Sequence, residues 1–130
     1  MKKLLITFLF IYSCNSIQKI ETKSIEVPLQ NLIEQPDKYD GKKIITKGFV
    51  RVEFEQNAIY LTKEDCENYM TKNALWLKFK IKIKKNGIYL QPSNFKNNDY
   101  NVVEGVFLKG DYSQQVFFSG ELKEIRFIEK

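Results

Sequence analysis

Residues 42–55, Lys-Lys-Ile-Ile-Thr-Lys-Gly-Phe-Val-Arg-Val-Glu-Phe-Glu, alternate with a period of two. Ile44, Thr46, Gly48, Val50, Val52 and Phe54 fall on one face. Lys43, Lys47, Arg51 and Glu53 fall on the other, with Ile45 and Phe49 as exceptions. Such alternation predicts a long strand with one buried face. Gly48 in its middle predicts a sharp bend, because a residue without Cβ lets a strand coil steeply. The device recurs downstream: Val103-Glu104-Gly105-Val106-Phe107 echoes Thr46-Lys47-Gly48-Phe49-Val50. Paired glycine bends suit the first and fourth main strands of a five-stranded Greek-key barrel, which meet where the barrel closes.

The rest of the chain supplies the other strands. Gln56-Asn57 is a turn signal before a short strand over Ala58–Leu61. Thr62-Lys63-Glu64-Asp65 reads as a hydroxyl cap with an acidic residue three positions on, opening a brief helix that runs to Met70. Leu75–Lys84 alternates cleanly, with Leu75, Leu77, Phe79, Ile81 and Ile83 inward and Trp76, Lys78, Lys80, Lys82 and Lys84 outward. Asn86-Gly87 predicts a tight hairpin returning through Ile88–Leu90. A polar loop over Gln91–Asp99 leads into a strand at Tyr100–Lys109. Gln115–Phe118 and Glu121–Ile128 form the last, interrupted at Ser119-Gly120. Upstream, Pro28 with Leu29, Leu32 and Ile33 predicts a short amphipathic helix ended by Pro36. The expected class is all-β with minor α: an antiparallel five-stranded barrel, a short N-terminal helix, and a short helix between strands two and three.

The 130 residues amount to one domain, and a 43% hydrophobic share suffices for one core. The chain has no histidine and two cysteines. This excludes Ser-His-Asp and Cys-His catalysis, His-containing metal sites, a Cys₄ zinc site and a disulfide framework. No metal or cofactor is expected.

The first fourteen residues read as an address. Met1-Lys2-Lys3 precedes an apolar run from Leu4 to Tyr12 whose polar member is Thr7. That run is far short of the roughly 20 residues that span a bilayer, but it fits a secretory signal peptide. Ile11-Tyr12-Ser13-Cys14 then resembles the lipobox of bacterial lipoproteins, with Tyr12 bulkier than the family's usual small residue. The resemblance implies that Cys14 takes a diacylglycerol and an acyl chain such as palmitate, and that residues 1–13 are removed. Loss of Lys2 and Lys3 leaves 19 basic against 16 acidic side chains. Cys66 is then the remaining thiol, expected to be an inert small apolar side chain. The chain divides into a signal peptide (1–13), a lipidated terminus and polar tether (14–26) and the barrel domain (27–130).

Val27-Pro28-Leu29, then Pro36-Asp37-Lys38-Tyr39-Asp40-Gly41-Lys42-Lys43, Gly48, and Ala58-Ile59-Tyr60-Leu61-Thr62-Lys63-Glu64-Asp65 resemble the OB-fold lipoproteins of Gram-negative bacteria, relatives of the tRNA-anti-like domains. Val103-Glu104-Gly105 and Phe118-Ser119-Gly120-Glu121-Leu122 extend the likeness to Ile128. The lysine-rich third strand and the Asn86-Gly87 hairpin depart from it. The resemblance implies an OB barrel and no particular activity. By the same analogy a non-acidic Asn15 after the cysteine favours the outer over the inner membrane.

OB barrels bind ligands on the face of strands two and three. Here that face is expected to show Tyr60, Trp76, Lys78, Lys80 and Lys82. Aromatic rings interleaved with lysines suit anionic ligands: acidic lipid, acidic glycan or single-stranded nucleic acid. They equally suit an ordinary solvated strand whose lysines prevent edge pairing. An envelope address argues against nucleic acid and leaves an envelope protein as a further partner. Glu64, Asp65 and Glu67 form a solvated acidic face with no nucleophile beside it, so no enzyme is expected. Asp111 and Tyr112 are either turn residues or the edge of a ligand site.

Overall fold

A computed structural model describes residues 21–53, 56–79, 95–110 and 117–129. Cys14, Lys80, Lys82, Asp111, Tyr112 and the Asn86-Gly87 hairpin lie outside the described residues. The elements are β1 (Ile25–Glu26), α1 (Leu29–Glu34), α2 (Pro36–Tyr39), β2 (Lys43–Glu53), β3 (Gln56–Tyr60), α3 (Lys63–Glu67), β4 (Ala74–Lys78), β5 (Asp99–Lys109) and β6 (Gly120–Ile128), with a 3-10 turn at Thr71–Asn73 between α3 and β4.

The sheet runs β1-β2-β3-β4-β6-β5 and closes on itself through β2–β5. The five long strands therefore form an OB-like barrel. As the glycine echo predicts, the first and fourth main strands meet at the closure, with Ile44 opposite Gly105 and Gly48 opposite Asn101. The alternation of β2 holds: Ile44, Thr46, Gly48 and Val50 point inward and are buried.

Gly48 is required by close approach. A Cβ there would stand 2.6 Å from the Tyr60 carbonyl oxygen and 2.7 Å from Ile59 Cγ1. Gly41 is required by conformation: at φ 75° it turns the chain from α2 into β2, and its N–H donates to the Phe107 carbonyl at 2.7 Å.

Four expectations are corrected. The sheet is not wholly antiparallel, because β1 pairs β2 and β4 pairs β6 in parallel. Closing five strands with Greek-key order brings the third and fifth main strands together in the same direction, a pairing no hairpin signal announces. Gln56 and Asn57 are not a turn but ladder residues, paired with Glu53 and Val52. This register keeps Val50 and Ile59 together on the inner face, and a one-residue slip would turn both outward. Pro36 does not end helical structure. Gln35, held at φ −128° before proline, breaks α1, and Pro36 starts α2 as a first-turn proline can. Phe117 and Phe118 lie in a turn rather than a strand, and Gly120, expected in the interruption, already begins β6.

The core fills the barrel with Ile44, Val50, Ile59, Leu75, Leu77, Val103, Phe107 and Leu122. Leu29, Leu32 and Tyr39 plug one end from α1 and α2. Each such side chain contributes about 1.5–3 kcal/mol on burial, which is what fixes helices only a turn or so long. The inward-pointing Thr46 hydroxyl is buried and finds no hydrogen-bond partner among the described residues.

Candidate ligand face

A second, smaller cluster lies outside the barrel wall. Ala58 and Tyr60 on β3, Ala74 on β4 and Cys66 on α3 are buried together, with Phe49 and Phe118 packed against them. α3 is held there by its cap. The Thr62 hydroxyl accepts from the Asp65 N–H at 3.0 Å and donates to the Asp65 carboxylate at 2.8 Å. Asn73 Nδ2 donates to the other Asp65 oxygen at 3.1 Å. The small side chains of Ala58 and Ala74 leave room for the Tyr60 ring between strand and helix.

Tyr60 is therefore on the expected face but not open to a ligand: it is 1% exposed. Burial, with Cys66 second, pushes its phenol up to about 12. This is the correction to the expected site. The period-two pattern gives the face correctly, but α3 covers the outer side of β3. The same burial pushes the Cys66 thiol up, in keeping with an inert cysteine.

Beside this cover sits a polar knot. The Arg51 guanidinium lies 4.3 Å from the Tyr69 ring centroid, and Arg51 Nε donates to Asn98 Oδ1 at 2.9 Å. The Tyr69 hydroxyl donates to the Glu53 carboxylate at 3.1 Å, and Glu53 stands 3.8 Å from Arg51. Tyr69 adopts φ 51°, a left-handed conformation uncommon for a bulky residue. The knot fastens the end of α3 to the edge of β2.

β4 carries the open part of the face. Trp76 is half-buried and meets Phe118 edge-to-face, with centroids 5.4 Å apart. Lys78 is exposed, 4.0 Å from Glu121. The parallel β4–β6 register places Trp76 beside Glu121 and Lys78 beside Lys123. Phe117, 74% exposed, stands next in the chain to Phe118. Ser119 holds this turn against β4, its N–H donating to the Ala74 carbonyl and its hydroxyl to the Lys72 carbonyl. Trp76 and Lys78 thus lie where the alternation places them. Phe118 and Lys123 were missed, because Lys123 joins the face through the β4–β6 pairing and Phe118 through the turn before β6, and no local pattern signals either.

The Asp65 carboxylate already accepts from the Thr62 hydroxyl and from Asn73, and Glu67 pairs with Lys63 at 3.9 Å one helical turn away. Among the described residues no group of three or more His, Cys, Asp or Glu side chains could hold a metal ion, and no helix is long and apolar enough to cross a membrane. Comparison with protein-family models, with curated proteins and with solved structures finds no match to this chain.

Proposed function

We propose that this chain is a lipid-anchored lipoprotein of the cell envelope, favouring the outer membrane, and that its barrel is a non-catalytic binding module. The anchor reading rests on the basic start, the short apolar run and Ile11-Tyr12-Ser13-Cys14. The binding reading is carried by one observation: the Trp76–Phe118 pair shares an outer wall of an OB-like barrel with Lys78 and Lys123. The rings offer flat apolar surface for an acidic sugar, and the ammonium groups attract its negative charge. No cofactor is invoked.

Mass analysis of the mature amino terminus tests the anchor. Residues 1–13 missing and a diacylglyceryl Cys14 are expected; an intact Met1 terminus refutes it. Binding by this face is tested on the unlipidated domain with dextran sulfate against uncharged dextran. Preference for a charged probe, lost in Trp76→Ala, is expected. Equal recovery with charged and neutral probes at low salt refutes it. The aromatic-lysine combination also suits single-stranded nucleic acid, the second reading, and a salt-dependent titration with a labelled oligonucleotide separates the two.

A further inference from the structure

We infer that the β2–β5 seam of the barrel rests on the leaflet that holds the anchor, so that the Trp76 wall faces away from the membrane. This rests on the anchor reading above and adds an orientation to it. The first observation is where the tether meets the barrel. Ser24 donates to Glu104 on β5 at 2.8 Å, and the next two residues pair with Ile44 and Ile45 on β2. The tether therefore joins the barrel on the outer side of the seam.

The second observation is reach. Cys14 and Ser24 are ten residues apart, a span of at most about 35 Å when fully extended. A domain of about 100 residues has a radius of gyration of about 13 Å, so half-way round its surface is about 50 Å. In the ring β2-β3-β4-β6-β5, β4 lies two strands from either side of the seam. A tether leaving the seam is too short to pass round the barrel and set the β4 wall on the same leaflet.

The third is the chemistry of the seam. Ile45, Val102, Val106 and Ile128 point outward and are only half-buried. Lys43, Lys47 and Arg126 stand among them, and exposed Lys23 lies just upstream. Glu26 is at the edge. Glu104, in the middle, is already held by Arg126 at 3.2 Å and Lys43 at 3.6 Å. Apolar surface edged by cations is what an anionic leaflet takes up. The Phe49–Tyr100 edge-to-face pair, centroids 5.3 Å apart, continues the seam at one end.

The single tryptophan makes this testable on the full lipidated chain. The protein is incorporated into phosphatidylethanolamine–phosphatidylglycerol vesicles with and without brominated acyl chains. Native Trp76 emission is expected to be unchanged by bromine. In Trp76→Phe/Ile45→Trp, and independently in Trp76→Phe/Val102→Trp, it is expected to fall by about half, since a residue on a docked apolar face lies within roughly 5–10 Å of the acyl boundary. Far-UV circular dichroism confirms that each variant is folded, and either folded variant suffices. Quenching of Trp76 overturns the inference by placing the β4 wall on the membrane. Absence of quenching at both seam positions, in protein that floats with the vesicles, overturns it while leaving the anchor intact. Protein that does not float refutes the anchor itself, and the orientation with it.

Discussion

The hydroxyl of Ser24 reaches the carboxylate of Glu104 across eighty residues of chain, at 2.8 Å. Arg126 donates to the same carboxylate at 3.2 Å from Nη2 and 3.3 Å from Nε. One acidic side chain on β5 thus binds the incoming chain, the neighbouring strand β6 and, through Lys43, the start of β2. An isolated buried carboxylate is costly, and this one is tolerated because three partners compensate it.

The carboxylate gives the domain an acid limit. Burial alone would raise its pKa, but hydrogen bonds from Arg126 and Ser24 and the charges of Arg126 and Lys43 outweigh that and hold it below its ordinary value of 4.5. A depressed carboxylate contributes stability that is present above its unfolded pKa and is lost as pH falls through the folded one. Melting temperature should therefore hold from pH 7 to about 5 and drop below pH 4.5. Glu104→Gln should cost about 1–3 kcal/mol at pH 7 and flatten the acid limb. Thermal melts of both proteins across this range decide it. An equally steep acid limb in the variant would assign the loss to other carboxylates.

Tyr60 sets the opposite limit. Its phenol is pushed up to about 12 from 10.0 by burial under α3. The unfolded chain therefore ionises first, and the stability present below pH 10 declines as pH rises towards 12. An ultraviolet titration of the phenolate band should show a late component from Tyr60. Tyr60→Phe should remove that component and no other. A variant that keeps it would mean that the ring under α3 is not the late one.

Binding and stability should separate on the open face. Phe117 is 74% exposed, so Phe117→Ser should change the melting temperature little. It should nevertheless weaken binding of the charged probe, as should Lys78→Gln. Trp76→Ala should do both, since it also breaks the contact with Phe118, worth about 0.5–1.5 kcal/mol. Paired melts and dextran sulfate titrations test this. Full binding by both Phe117→Ser and Lys78→Gln would show that the face is ordinary solvated surface.

The barrel was legible because its signals are local. Period-two alternation in β2 and β4, the cap at Thr62 and the glycine at position 48 each act within a few residues. The site was legible only in part. Alternation places Trp76 and Lys78 outward on β4 whatever else happens. Whether Tyr60 stays open depends on where α3 folds back, which is decided by Cys66 fitting against two alanines some eight residues to either side. Lys123 comes to the face only through the parallel β4–β6 pairing, a long-range choice that leaves no periodic trace. The Ser24–Glu104 clasp is likewise invisible at sequence level, since neither residue stands out in its own neighbourhood.

The bend at Gly48 gives the sharpest test of closure. A methyl group there would collide with the Tyr60 carbonyl oxygen at 2.6 Å and Ile59 Cγ1 at 2.7 Å, and would sit 3.1 Å from Leu29 Cδ2. The carbonyl belongs to the β3 backbone, so the clash is not relieved by a rotamer change. Gly48→Ala should therefore destabilise the domain by about 1–3 kcal/mol, through overpacking rather than helix or strand propensity. Gly110 is the internal control: among the described residues a Cβ there meets nothing nearer than the Phe118 carbonyl at 3.6 Å, an ordinary contact. Gly110→Ala should leave chemical denaturation midpoints within about 0.5 kcal/mol of the parent. If both variants unfold at the parent's denaturant concentration, β2 does not pass as close to β3 as the bend requires, and the barrel closes by another route.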